Sequence, residues 1–148
     1  MMGLFDALNI SASGLTAQRL RMDVTSANLA NAETTRTPGG GAYKRQDVIL
    51  QESSGSDTFA GSLAGAMGGP DSAPAGVEVA AIVDDTTPTK KVYEPSNPQA
   101  DGQGYVEMPN VNPVSEMTDL IDASRSYQAN VTAMQTTKTV FAKTIELL

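Results

Sequence analysis

Hydrophobic residues near the start of the chain recur at alternating intervals of three and four. Phe5, Leu8, Ala12, Leu15, Met22 and Leu29 keep this spacing, and Arg19 and Ser26 interrupt it. Positions three and four apart share one face of an α-helix, so the stretch from about Leu4 to Asn31 predicts a helix with one apolar seam. The far end repeats the pattern more strictly. Met117, Leu120, Ser124, Tyr127, Val131, Met134, Lys138, Phe141, Ile145 and Leu148 follow it, and all but Ser124 and Lys138 are apolar. Sustained spacing of this kind is a coiled-coil signature. Asn112-Pro113 supplies a start, with Asn as N-cap and Pro at the first helical position. At 1.5 Å per residue this second helix would be roughly 50 Å long.

Helix breakers divide the chain. All eight prolines fall between Pro38 and Pro113, and eleven of the thirteen glycines between Gly39 and Gly104. Long helices need ends free of both. Between the ends, Asp47 to Gln51, Gly76 to Val83 and Lys91 to Tyr93 read as short strands. Ser53 to Ala75 is rich in Gly, Ser and Ala and reads as a flexible loop. Asp101-Gly102-Gln103-Gly104 reads as a turn. The expected fold is mainly α: long N- and C-terminal helices paired as a coiled coil, with a small β-hairpin or sheet between them. The expected division is a helical arm over residues 1–35, a β-rich middle region over 36–112 containing the loop at 53–75, and a second helical arm over 113–148.

Composition narrows the chemistry. The chain has 148 residues and a formal net charge of −7. That balance argues against nucleic-acid binding, which needs a clustered basic surface, and against docking on an anionic membrane face. Cys and His are absent. Thiolate ligands, disulfides and the commonest general base near neutral pH are therefore missing. No phosphate-cradling Gly-x-x-x-x-Gly-Lys motif occurs. No catalytic residue, cofactor or metal is expected. With no Trp and seven Phe and Tyr residues in total, a single compact core is also not expected. No run of 18 apolar residues exists to span a membrane. The first residues lack a basic segment and read as something other than a cleaved signal peptide.

The remaining helix surface is the more informative part. Pro113 to Leu148 holds seven charged residues among thirty-six, and off its seam sit Thr118, Ala123, Ala129, Thr132, Ala133, Thr136, Thr137, Thr139, Ala142 and Thr144. The first helix carries Ser11, Ser13, Thr16, Ala17, Thr25, Ala27 and Ala30 off its seam. A solvated coiled coil would carry Glu and Lys there. A free helix with this surface is marginal. Faces of this kind call for other chains to cover them, and contacts through several faces build open filaments when the rotation does not close.

Particular segments carry a family resemblance. Ser26-Ala27-Asn28-Leu29-Ala30-Asn31-Ala32 resembles the amino-terminal signature of flagellar rod, hook and hook-associated proteins, in which Asn-Leu-Ala-Asn closes the first helix. Asn28 and Asn31 suit a helix end, since Asn bonds local backbone and tolerates left-handed angles. Tyr43-Lys44-Arg45, Val92-Tyr93-Glu94-Pro95, Asn97-Pro98, Gly104-Tyr105-Val106, Met108-Pro109-Asn110-Val111-Asn112, Glu116-Met117 and Ala123-Ser124-Arg125-Ser126-Tyr127-Gln128-Ala129-Asn130 are similar to further segments of the basal-body rod proteins, in the same order. Ser53 to Ala75 is longer and richer in Gly and Ala than the family pattern.

The resemblance implies a structural subunit of the proximal rod, polymerising with other rod proteins into the drive shaft that transmits torque. It implies the rod proteins FlgB, FlgF and FlgG, the adaptor FliE, copies of the chain itself and the flagellar export apparatus as partners. It implies a place in the periplasmic rod of the basal body, reached by type III export without signal cleavage. The helix-pair and subunit interface would use Phe5, Leu8, Leu15, Met22, Leu29, Met117, Leu120, Tyr127, Val131, Met134, Phe141, Ile145 and Leu148. The family motif would contribute Asn28, Asn31, Arg125, Tyr127 and Asn130, with Arg125 reaching a carboxylate such as Glu116 or Asp122 on a neighbour. Two other readings fit the same helices: a soluble adaptor or chaperone that binds partner helices, and a different axial protein.

Overall fold

A computed structural model describes residues 4–53 and 76–146. Among them the order is α1 (Leu4–Ala30), β1 (Gln46–Glu52), β2 (Val77–Asp84), β3 (Lys90–Tyr93), β4 (Tyr105–Met108) and α2 (Pro113–Glu146). The chain is thus mainly α with a small β region. The loop expected over 53–75 lies, beyond Ser53, outside the described residues, as do Leu148 and the side chain of Phe5.

The helix boundaries have local causes. Asn112 caps α2: its Oδ1 accepts from the Val114 N–H at 3.1 Å. Its carbonyl accepts from the Glu116 N–H at 3.0 Å. Pro113, which lacks an N–H, fills the first helical position at no cost in hydrogen bonds. At the end of α1, Asn31 Nδ2 donates to the Ala27 carbonyl at 2.9 Å, and Asn31 Oδ1 accepts from the Thr34 hydroxyl at 3.1 Å. These bonds take up backbone and side-chain groups that the helix terminus leaves open.

The strands form two sheets of two strands each among the described residues, β1 with β2 and β3 with β4. The second is antiparallel, with Lys91 opposite Glu107 and Tyr93 opposite Tyr105. β4 was not foreseen from the sequence. Its four residues, Tyr-Val-Glu-Met, carry too short an alternation to stand out, and only pairing with β3 makes them a strand. Val106 is buried while Tyr105 and Glu107 on either side are exposed, the alternation of a strand with one covered face.

The chain divides into two compact units. One combines Met1–Arg19, Ile49–Ala81 and Ser124–Leu148; the other combines Leu20–Val48 and Ile82–Ala123. In the second, Val24, Ala42, Val106, Val111 and Ala123 are the buried hydrophobic residues, joined by the polar Thr25, Asn28 and Glu116. In the first, Ala17 is the buried hydrophobic residue among those described. Alanines and valines this few make a thin core. It follows from the low aromatic content that each unit closes on small side chains and hydrogen bonds instead of a large apolar centre.

Candidate functional site

Two of the expected motif residues sit where helix meets helix. In the second unit Asn28, on the last turns of α1, is 1% exposed. Its Nδ2 donates to the Gln46 carbonyl at 2.8 Å and to Glu116 Oε2 at 3.1 Å. Its Oδ1 accepts from the Tyr43 hydroxyl at 2.9 Å and from the Gln46 N–H at 3.0 Å. Four bonds use the full capacity of a side-chain amide. Asn28 was expected to bond its own helix end; instead it ties α1 to the start of β1 and the first turn of α2.

Glu116 completes the hub. It is 1% exposed, and its second oxygen accepts from Arg45 Nε at 2.6 Å. Arg45 reaches Asp119 at 3.5 Å and Asp47 at 3.9 Å with its other nitrogens. Its N–H donates to Asn110 Oδ1 at 3.0 Å, and Asn110 Nδ2 donates to the Thr87 carbonyl at 3.2 Å. The hydrogen bond to Glu116 raises the pKa of the Arg45 guanidinium above its ordinary value. Burial, with the charges of Asp84 and Glu116 behind it, raises that of the Tyr43 phenol. A buried carboxylate is stable only when its lone pairs are filled by a cation and hydrogen bonds, and this one has both. Of the two carboxylates named for Arg125, Glu116 is buried within its own chain and Asp122 is exposed.

The hub explains a displacement on α2. Turning Glu116 inward places Met117 outward, 51% exposed, where the seam spacing expected it inside. Leu120, Tyr127, Val131 and Met134 are half-buried, and Ala123 beside them is fully buried. Phe141 and Ile145 are exposed. On α1, Leu8, Leu15, Met22 and Leu29 are half-buried, while the most covered positions are Ala17, Val24, Thr25 and Asn28. Arg125 is exposed and Tyr127 half-buried.

In the first unit Gly14 of α1 lies against Asn130 of α2. A Cβ at Gly14 would stand 3.0 Å from Asn130 Nδ2, a tight contact that the amide would have to yield to. Ser13 beside it donates to the Ile10 carbonyl at 2.8 Å and accepts from the Val77 N–H at 3.0 Å, pinning the start of β2 to α1. Gly76 completes this contact, since a Cβ there would collide with Ser13 Oγ.

Reading residue types along the helices did not reveal what the hydroxyls do. Thr118, Thr132, Thr136, Thr137, Thr139 and Thr144 of α2 each donate to the carbonyl four residues back, at 2.8 to 3.0 Å. Ser11 and Thr16 of α1 do the same at 2.9 and 3.1 Å. A threonine bonded in this way has its donor satisfied within the helix and a methyl group to offer a neighbour. Meanwhile Val114, Met117 and Ile121 are 72%, 51% and 52% exposed on the side of α2 away from Glu116 and Ala123. At its start α2 is thus apolar on its outer side and buried on the opposite one.

Comparison with known proteins agrees with the motif segments. Residues 8–36 match the family described as Flagella basal body rod protein. Residues 103–147 match Flagellar basal body rod FlgEFG protein C-terminal. The flagellar basal-body rod protein FlgC of Bacillus subtilis (strain 168) is 46% identical over 150 residues, covering 99% of each chain. The protein of the same name from Borreliella burgdorferi is 43% identical over 156 residues, again covering 99% of each. That from Escherichia coli O6:H1 is 41% identical over 146 residues, covering 99% of this chain and 98% of its own. With relatives this similar along its whole length, the chain belongs to the FlgC family of flagellar basal-body rod proteins.

Proposed function

We propose that this structural subunit of the flagellar basal-body rod, a building block and not an enzyme, carries torque through its two helical ends. Residues 1–35 and 113–148 act as paired arms, and the middle region over 36–112 rides on them. The observation that carries this reading is the outer side of α2, where Val114, Met117 and Ile121 stand exposed opposite the buried Glu116 and Ala123. A helix apolar on two sides needs a second partner besides its own chain.

An antiparallel coiled-coil pairing of the arms is supported by two contacts. Gly14 meets Asn130 in the first unit, and Asn28 meets Glu116 in the second. Leu8, Leu15, Met22 and Leu29, with Leu120, Tyr127, Val131 and Met134, line the flanks of that pairing; Phe141 and Ile145 continue it along α2. The internally bonded threonines favour packing by neighbours, because their hydroxyls demand little from water. Neighbours in the rod would be further copies of this chain and the other rod proteins FlgB, FlgF and FlgG, with FliE at the base. The export apparatus would deliver the chain to the periplasmic rod.

The test is incorporation. Leu120→Asp or Val131→Asp places a charge within the pairing, where burying an aliphatic side chain contributes about 1.5–3 kcal/mol. Either variant should be missing from purified basal bodies and leave the cells non-motile. A swimming strain whose basal bodies contain the variant would overturn the proposal.

A further inference from the structure

The β3–β4 hairpin presents an outward face that the rod reading leaves unused. Strand alternation puts Lys91 and Tyr93 on the same side of β3, opposite Glu107 and Tyr105 of β4. Val106, between the two β4 residues, points the other way and is buried. The outward face therefore carries two tyrosines at one end and an opposed Lys–Glu pair at the other, all four exposed.

This face is built to be rigid. The tyrosine rings meet edge to face with centroids 5.3 Å apart. Gly104 holds a φ of +84°, and a Cβ there would fall 2.9 Å from the Tyr93 ring, so the turn can close on the ring only with glycine. Asp101 Oδ1 accepts from the Gln103 and Tyr105 N–H groups at 2.8 and 3.0 Å, which locks the turn. The Glu94 N–H donates to the Gly104 carbonyl at 2.9 Å and closes the hairpin from the other side. Yet Tyr93 is 63% exposed and Tyr105 41%. A rigid aromatic pair left in water is the chemistry of a binding hot spot, with its ordering cost already met in the free chain.

The chain also carries a surface complementary to this one. On α2, Val114, Met117 and Ile121 form an exposed aliphatic strip. Asp122 and Arg125, three apart and both exposed, border its C-terminal end. Methionine packs favourably on aromatic rings. Residues opposed across a strand pair and residues three apart on a helix have similar spacing, about 5 Å between Cβ atoms. A Lys–Glu pair can therefore meet an Asp–Arg pair charge for charge.

We infer that the Tyr93–Tyr105 face of one copy seats on the Val114–Met117–Ile121 strip of a second copy of this chain, with Lys91 meeting Asp122 and Glu107 meeting Arg125. The inference rests on the rod reading above and specifies one of its contacts. Because the two surfaces differ, the contact is heterologous, and repetition carries it forward from copy to copy.

The chain has no cysteine, so engineered pairs report cleanly. Copies carrying Glu107→Cys and copies carrying Arg125→Cys are co-expressed in a strain lacking the native chain, and purified basal bodies are mildly oxidised. The expected product is a dimer of twice the chain mass that disappears on reduction. Basal bodies that contain both copies but give no dimer, or that give a cross-link to a protein of another mass, overturn the inference while leaving the rod reading intact. Basal bodies from a wild-type strain that do not contain this chain overturn both. Charge exchange gives a second readout that preserves each local pair. The double variant K91E/E107K and the double variant D122R/R125D should each stop swimming, and the quadruple variant should restore it. Normal swimming of either double variant, or failure of the quadruple one, would also overturn the inference.

Discussion

At the scale of single residues the decisive feature is the saturated amide of Asn28 between Tyr43, Gln46 and Glu116. Removing the cation beside it exposes the cost of burying Glu116. Arg45→Met should destabilise the second unit by about 3–5 kcal/mol in urea unfolding, because a carboxylate then remains buried without its cation. The double variant R45M/E116Q should recover part of that loss, and recovery of none would mean that the ion pair is not what holds the hub. The hub also predicts an alkaline limit. A phenol whose pKa is raised on folding stabilises the folded state fully below its ordinary value near 10, and that contribution is lost as pH rises through the folded value. Tyrosinate cannot donate to Asn28 Oδ1. Stability should therefore fall above about pH 10, and Tyr43→Phe should flatten that fall while lowering stability at neutral pH. Parallel curves for the two proteins would rule Tyr43 out as the cause.

At the scale of elements, both long helices, the Asn112–Pro113 start and three of the four strands among the described residues were legible in the sequence, because periodicity and breakers are local signals. What was not legible was which side of each helix is most deeply buried. The heptad repeat of Leu8, Leu15, Met22 and Leu29 drew attention to large side chains, but the most covered positions of α1 include Ala17 and Asn28. Backbones come closest where side chains are small, as at Gly14 against Asn130, and a ranking by hydrophobicity overlooks such positions. The hub residues Asn28, Tyr43, Arg45, Asn110 and Glu116 all fall in segments that carry the family resemblance, yet no spacing rule joins residues 28 and 116. The hairpin gives a prediction at this scale. Gly104→Val meets both a left-handed backbone angle and the Tyr93 ring, and should cost about 1–3 kcal/mol. It should also disperse the Tyr93 and Tyr105 ring resonances in NMR spectra. An unchanged spectrum would mean that the turn does not set the rings.

At the scale of the whole molecule, a few buried alanines and valines and a hydrogen-bonded hub leave much apolar surface outward. Such a chain gains most of its order from what it joins. The back-bonded threonines of α2 have a consequence for how it could travel there. In an extended chain each of these hydroxyls is free to bond water, so the segment is hydrophilic. Once coiled, each hydroxyl turns to its own helix and a methyl group faces out. The same residue is thus wet in transit and dry on arrival. A leucine-rich face of equal packing value would be sticky throughout, and would invite clumping along the way.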